Sequence, residues 1–286
     1  MLETVFETVR DGRRLRVARL GSGPPLVLLH GYPDNLQICC ELASRLADKF
    51  EVIAFDWPGL GQSREWPGGA TPFHMAERLL ELLDAWGIQQ AALVAMDMGA
   101  QPALVFAARH PERARFLVVM NCLAYWDVET SWEIAVLRRF GWNQVILKRF
   151  PAATFRRAEK TFLPRGEGLS KELRADLWES FKGKEVRDFI VRMCAGYQGT
   201  LPRLPELYRQ VAAPTLVLWG EKDKHFPPVH AERLHSDIQG SELRIIGGAE
   251  HWMALYLADK VADEIRDFDA TRSSHDARRS SHELHE

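Results

Sequence analysis

Three polar residues have the types and the chain order needed for catalysis through a covalent intermediate. Asp97, Asp223 and His251 each come at or shortly after the end of an apolar segment. An aspartate can attack a carbon atom and form an ester with the protein, and a histidine supported by a second acid can then activate water. Because the carboxyl ends of parallel strands meet at one edge of a sheet, we expect these three side chains to converge.

The segment around Asp97 is typical of a strand, a sharp turn and a helix. An apolar run over residues 91–95 precedes it, and a segment with helical character begins at Gly99. Ala95 and Gly99 are small, as a strained turn of this kind requires if strand and helix are not to collide. The alternative is an acid that stabilises a helix N-terminus, which the helix dipole favours. A helix cap needs no distant histidine, so the chain order favours a nucleophile.

Two further loops follow earlier strands. His30-Gly31-Tyr32-Pro33 comes after the first buried strand, and Gly31 permits a tight turn that aims a backbone N–H group into the cleft beside Asp97. Taken alone, this segment is equally typical of an ordinary strand-to-helix turn. Asp56 opens a second loop, residues 56–63, and is interpreted as a structural acid that binds backbone donors.

Strands and helices alternate in the elements that must position these residues. Residues 4–9 and 15–20 alternate apolar and polar side chains around Asp11-Gly12, which predicts an antiparallel hairpin. Continuous apolar runs indicate strands covered on both faces by helices, and they occur at residues 26–29, 52–55, 92–95, 116–120 and 215–219. A further strand is predicted at 243–246, and helices at 36–49, 72–86, 99–109, 229–236 and 255–268. The sequence therefore predicts an α/β fold with a mostly parallel sheet.

The alternation stops after Met120 and returns at Thr215. Residues 131–209 are helical in character and rich in aromatic residues, which predicts a helical cap inserted over the strand ends. We predict a core of residues 1–128 and 210–269, a cap of residues 129–209 and a disordered tail of residues 270–286. His275, His282 and His285 are interpreted as part of a solvated tail rather than as metal ligands.

Composition argues against several classes of function. The formal net charge of −2 does not support a nucleic-acid partner. The sequence contains no run of about 18 apolar residues, so it does not support a membrane partner. The N-terminus lacks the apolar stretch of a secretory signal. The four cysteines are scattered, which indicates a reducing cytoplasm. No metal or organic cofactor is expected, and a homodimer is left open.

Taken together, these motifs resemble the alpha/beta-hydrolase fold superfamily over residues 4–268. The resemblance rests on His30-Gly31-Tyr32-Pro33, residues 56–63, Ala95-Met96-Asp97-Met98-Gly99, residues 220–223 and His251-Trp252. Within that superfamily, an aspartate nucleophile is similar to the epoxide hydrolases and the haloalkane dehalogenases. Tyr32 replaces the asparagine and Met98 the tryptophan that serve as halide donors in the dehalogenases. The pattern therefore favours an epoxide hydrolase.

This resemblance implies hydrolysis of an epoxide to a vicinal diol in two steps. Asp97 attacks an epoxide carbon while Tyr197, in the cap, protonates the departing oxygen. His251, oriented by Asp223, then activates the water that hydrolyses the alkyl-enzyme ester.

The resemblance also implies the contacts that surround the reacting atoms. Backbone N–H groups of Tyr32 and Met98 are expected to stabilise the tetrahedral oxyanion. The aromatic cap indicates a bulky apolar or aromatic small-molecule substrate, although packing of the cap is an alternative reason for those side chains. The residues expected to bind the substrate are Trp132, Trp142, Tyr125 and Trp252, and the first two are also candidates for a second donor.

Three other functions are compatible with the same motifs. A haloalkane dehalogenase would use the same nucleophile, acid and histidine and would release halide. An esterase or lyase would turn over without an alkyl adduct on Asp97. A ligand-binding protein would bind without turnover, but it has no need of all three residues.

Overall fold

The computed structural model describes residues 1–9, 12–64, 66, 68–139 and 141–283, with side chains described through residue 272. The chain opens with the predicted antiparallel pair, strands β1 (Val5–Thr8) and β2 (Arg14–Leu20), in which Val5 lies opposite Val17. Asp11 of the predicted turn and residues 284–286 of the predicted tail lie outside the described residues.

A single eight-stranded sheet runs through the described part of the chain. Its remaining strands are β3 to β8, spanning Pro25–Leu29, Glu51–Phe55, Ala91–Met96, Ala114–Met120, Thr215–Gly220 and Glu242–Ile246. The spatial order is β1-β2-β4-β3-β5-β6-β7-β8. β2 pairs antiparallel with β1 and β4, and all other pairs are parallel. The predicted α/β fold with a mostly parallel sheet is confirmed.

Helices cover both faces of the sheet, which explains why its central strands are apolar at every position. All six residues of β5 are buried. The helices on the two faces remove the apolar surface of β5 from water along the whole strand. The α-helices of the described residues, α1 to α12, span Cys40–Leu46, Pro72–Ala85, Ala100–Arg109, Trp132–Leu137, Trp142–Arg149, Pro151–Phe162, Lys171–Phe181, Lys184–Thr200, Leu204–Tyr208, Val229–Asp237, Met253–Tyr256 and Ala258–Glu283. The helix predicted over 36–49 instead begins with a 3-10 turn, Leu36–Cys39, and ends at Leu46.

Helices α4 to α9 occupy the segment between β6 and β7 that was predicted as a cap. A largely buried ion pair fastens this segment to the core. Both guanidinium Nη atoms of Arg16, on β2, bind the two carboxylate oxygens of Asp176, on α7, at 2.9 and 2.7 Å. Asn35 donates to the same carboxylate at 2.6 Å. Such a bidentate contact fixes orientation as well as position, so α7 is held firmly above the loop that follows β3.

The final helix is longer than the sequence predicted. α12 runs from Ala258 to Glu283, whereas its end was predicted at Phe268 and a disordered tail from residue 270. The correction has a simple reason, because no glycine or proline follows Gly248 to interrupt a helix. In the described part of the chain, no helix is both long and apolar enough to cross a bilayer.

Candidate active site

Asp97 lies on a strained turn between β5 and α3. Met96 is extended, with φ −132° and ψ 155°, and Asp97 itself has φ 48°. A positive φ is unusual for a residue other than glycine and is often found at functional sites. Gly99 must be glycine, since a Cβ atom there would lie 2.6 Å from the carbonyl oxygens of Leu29 and His30. The predicted strand, sharp turn and helix are therefore present, and the turn carries the acid.

Backbone N–H groups lie beside the Asp97 carboxylate. The N–H of Tyr32 donates to Asp97 Oδ2 at 3.0 Å, and the N–H of Met98 is among the influences that lower the pKa of this carboxylate. Gly31 allows this approach, because a Cβ atom there would lie 2.3 Å from Oδ2. These are the two N–H groups that the sequence predicted for an oxyanion, and that role stays a prediction.

His251 and Asp223 form a buried hydrogen-bonded pair. Nδ1 of His251 lies 2.8 Å from Oδ2 of Asp223. The other carboxylate oxygen of Asp223 accepts from the backbone N–H groups of His225 at 2.8 Å and Phe226 at 3.1 Å. Because Asp223 is held on both oxygens, it fixes the orientation of the imidazole and leaves Nε2 as the nitrogen that can act on a substrate or a water molecule.

Burial and neighbouring charges act in opposite directions on the pKa values of Asp97 and His251. Burial raises the pKa of Asp97 to about 6, although the positive charge of His251 and the N–H of Tyr32 counteract this rise. Burial lowers the pKa of His251, but its contact with Asp223, followed by the charges of Asp97 and Asp34, raises that pKa to about 9. At neutral pH the site therefore holds an ionised Asp97 beside a protonated His251.

Asp34, which the sequence analysis did not single out, is a third buried acid at this site. Its Oδ2 accepts from Nε1 of Trp252 at 3.2 Å, whereas its Oδ1 has no hydrogen-bond partner among the described residues. Burial and the nearby charge of Asp97 raise the pKa of Asp34 to about 8. The only sequence signal is an acid directly after His30-Gly31-Tyr32-Pro33.

A mainly apolar cavity of about 240 Å³ opens onto Asp97. Tyr32, Pro33 and Asp97 form its floor, and side chains from α4, α5 and α6 form most of its wall. Trp132 and His225 are among the residues of this wall. A cavity of this kind suits a small apolar molecule that places one reactive carbon near a carboxylate.

The predicted substrate-binding aromatics are not all in this wall. Trp132 lines the cavity, but Trp142 is 64% exposed on the surface of α5 and is not a wall residue. Tyr125 is fully buried and donates to Asp237 Oδ2 at 2.8 Å, so its hydroxyl serves a structural contact. Trp252 is also buried and supports Asp34. The prediction that Trp142, Tyr125 and Trp252 line the substrate cavity is corrected, because Trp142 lies on the surface and the polar atoms of the other two bind Asp237 and Asp34.

Tyr197, the predicted proton donor, is buried on α8. The charge of Asp97 is among the influences that raise the pKa of Tyr197, after burial and Cys194, so its phenol lies in the neighbourhood of Asp97. It is not among the residues that line the cavity.

Two residues that support the site, Asn121 and His225, were not predicted from the sequence. Asn121 follows β6 with φ 39°, accepts from the backbone N–H of Gly220 at 2.9 Å and donates to the carbonyl of His251 at 3.1 Å. It thereby joins the loop that carries Asp223 to the loop that carries His251.

The ring of His225 contacts Ser131 through Nδ1 at 2.7 Å and lines the cavity, while its Nε2 has no partner among the described residues. Burial lowers the pKa of His225 to about 4, so this ring is neutral.

Within the described ranges, no group of three or more histidine, cysteine, aspartate or glutamate side chains is arranged to hold a metal ion. The four cysteines, all described, are buried and unpaired.

Comparison with known proteins relates the chain to a family and to several individual proteins. A family model described as the alpha/beta hydrolase fold matches residues 24–256. An uncharacterized protein of Mycobacterium tuberculosis is 29% identical over 262 residues, which span 86% of this chain and 75% of that protein. Haloalkane dehalogenase 2 of the same organism is 24% identical over 272 residues, 88% of this chain and 90% of that protein. The crystal structure of Cfl2 from Burkholderia cenocepacia superposes with a TM-score of 0.83 at 22% identity, covering 93% and 95% of the two chains.

Proposed function

The chain belongs to the alpha/beta hydrolase fold family, and on that premise we propose that it is a hydrolase that opens epoxides to vicinal diols through an ester on Asp97. The observation that carries the proposal is an ionisable carboxylate on the strained turn, bound by the backbone N–H of Tyr32, with a separate His251–Asp223 pair beside it. A carboxylate needs no base to become a nucleophile at neutral pH. The histidine is therefore available for a later step.

In the first step, Asp97 attacks an epoxide carbon and the ring C–O bond breaks. The raised pKa of Asp97, about 6, still leaves the carboxylate ionised at neutral pH. The departing oxygen needs a proton, and Tyr197 is the donor proposed for it from the cap. The product of this step is an alkyl-enzyme ester on Asp97, and His251 remains protonated.

In the second step, a water molecule attacks the ester carbonyl of Asp97. Esterification removes the Asp97 charge, which is one of the influences that raise the pKa of His251. We therefore expect the imidazole to lose its proton more readily in the ester and to act as the base. The N–H of Tyr32 already binds the Asp97 oxygen and, together with the N–H of Met98, would hold the oxyanion. The unpartnered Oδ1 of Asp34 offers a further hydrogen-bonding position for the water.

Haloalkane dehalogenation is the second candidate. It is favoured by the similarity to haloalkane dehalogenase 2 over most of both chains. It requires side-chain N–H donors for the halide, and the thioether of Met98 has no such donor. Trp132 could donate its indole N–H from the cavity wall, but it is 64% exposed.

Product analysis separates the two candidates. The purified protein would be incubated with styrene oxide and, in parallel, with 1-bromobutane, and diol and bromide would be measured against Asp97→Ala. The proposal predicts diol formation that the substitution abolishes. Bromide release without diol would support the dehalogenase, and ester turnover without any adduct would support an esterase. Binding without turnover would leave a ligand-binding protein.

A further inference from the structure

The side chain of Tyr32 shares the cavity with the nucleophile. Its backbone N–H binds Asp97 Oδ2, and its half-buried phenol ring lines the same cavity as that carboxylate. We infer that the Tyr32 hydroxyl is the second proton donor to the oxygen that departs when Asp97 attacks, a role that rests on the proposed epoxide hydrolysis.

The hydrogen bonds around the phenol leave its proton available. The thiol of Cys194, on α8, donates to the Tyr32 hydroxyl oxygen with an Sγ to Oη distance of 3.6 Å. Apart from that Sγ atom, which is a weak acceptor, no acceptor for the Tyr32 O–H is found among the described residues. A hydroxyl without a strong acceptor can turn its proton toward a ligand in the cavity.

The surroundings of the phenol also keep it protonated. Burial raises the pKa of Tyr32 well above its usual value, and Cys194, Tyr197 and Asp97 raise it further. The same influences show that the phenols of Tyr32 and Tyr197 lie near each other and near Asp97. Two neutral phenols therefore lie in the neighbourhood of Asp97, and of the two only Tyr32 lines the cavity.

The proton balance of the reaction closes with this donor. An oxygen of Asp97 forms a bond to the epoxide carbon, and the electron pair of the breaking C–O bond goes to the epoxide oxygen. That oxygen takes the proton of Tyr32 and becomes the first hydroxyl of the product. The phenolate then takes the proton of His251 through solvent, which leaves the imidazole neutral. In the second step water gives its O–H to the ester carbonyl carbon and its proton to His251, and the bond between that carbon and the alkyl oxygen breaks. The alkyl oxygen takes this proton from His251 and becomes the second hydroxyl of the diol, and the carboxylic acid formed at Asp97 returns its proton to His251. The sum is epoxide plus water to diol.

One residue thus serves the two steps through different atoms. The backbone N–H of Tyr32 acts in ester hydrolysis, and the phenol acts in ring opening. Tyr32→Phe removes the phenol proton and keeps both the ring and the N–H. The two functions can therefore be separated by measuring each step.

The test uses styrene oxide and two backgrounds. In His251→Gln, where the ester accumulates, rapid-quench mass spectrometry gives the rate of alkylation with and without Tyr32→Phe. In the enzyme with His251 intact, single-turnover decay of the ester gives the second step. We expect Tyr32→Phe to slow alkylation about 10²-fold, as for loss of a general acid, and to leave ester decay within about twofold of the parent.

Tyr208→Phe is the matched control, since that phenol is fully buried, donates to the carbonyl of Ala124 at 2.8 Å and does not line the cavity. It should leave alkylation unchanged. Alkylation by Tyr32→Phe at the parent rate would overturn the assignment while the epoxide hydrolase function stands. Equal slowing of both steps would also overturn it, because it would indicate displacement of the loop. A parent that forms no adduct would overturn the proposed function and, with it, this role.

Discussion

Oδ2 of Asp97 lies 3.0 Å from the backbone nitrogen of Tyr32 and accepts its hydrogen bond. The nucleophile therefore rests in the position where the same N–H group would later stabilise an oxyanion. This arrangement explains why the loop after β3 must approach the turn after β5 so closely, and it leads to predictions about both.

The close approach depends on Gly31. A Cβ atom at this position would lie 2.3 Å from Asp97 Oδ2, so Gly31→Ala must displace the carboxylate or the loop. We expect a loss of alkylation rate on the order of 10²-fold, because a shift of about 1 Å in a catalytic group has such an effect. The measurement is single-turnover adduct formation, with thermal unfolding to check the fold.

Gly199→Ala provides the control for this change. Its added Cβ would meet nothing within 4 Å, on helix α8, and alanine favours a helix. Its rate should equal that of the parent. A parent-like rate for Gly31→Ala would show that the loop tolerates the side chain and that the close contact is not needed.

The rate of alkylation should follow the ionisation of Asp97. Burial raises its pKa to about 6, and only the ionised form attacks. Alkylation should therefore be constant above that pH and fall about tenfold per unit below it, measured by rapid quench between pH 4.5 and 8. A rate that stays level down to pH 4.5 would contradict the environment described for Asp97.

Asp34 should lower the stability of the fold at neutral pH. Its pKa rises from 3.8 to about 8 on folding, so above pH 3.8 the unfolded chain loses this proton more readily than the folded chain does. The penalty grows with pH until about 8 and is absent at acid pH. Asp34→Asn removes it and should stabilise the protein by roughly 1–3 kcal/mol at pH 8.

Thermal unfolding at pH 8 and pH 5 tests this sign. The advantage of Asp34→Asn should shrink at pH 5, whereas Asp127→Asn, at an exposed acid paired with Arg233, should give no such gain. A variant that is less stable than the parent at pH 8 would refute the prediction. Ester hydrolysis should also slow in Asp34→Asn if Oδ1 holds the water.

Much of the fold was predictable because strands buried on both faces are apolar at every position. The continuous apolar runs gave β3 to β7 within one or two residues, and the capping pair Thr71 and Pro72 marked the start of α2. The turn at Asp97 was predictable for a similar reason, since Gly99 must be small wherever a strand and a helix meet so closely.

The remaining features depend on tertiary packing that no local pattern records. Tyr125 and Trp252 follow strands as cavity residues would, yet their polar atoms bind Asp237 and Asp34 instead. The burial of Asp34 could not be predicted either, because the residue type alone does not distinguish a buried aspartate from a solvated one. The extension of α12 past Phe268 arises from the absence of a helix breaker, whereas the polar composition suggested disorder.

The mass of the Asp97 peptide from His251→Gln after exposure to styrene oxide would show whether an ester forms on Asp97. Without the base, the ester should form and persist, so we expect the mass of one styrene oxide to be added at Asp97, with no addition in Asp97→Ala. Normal diol production by His251→Gln, or an adduct at any residue other than Asp97, would contradict this expectation.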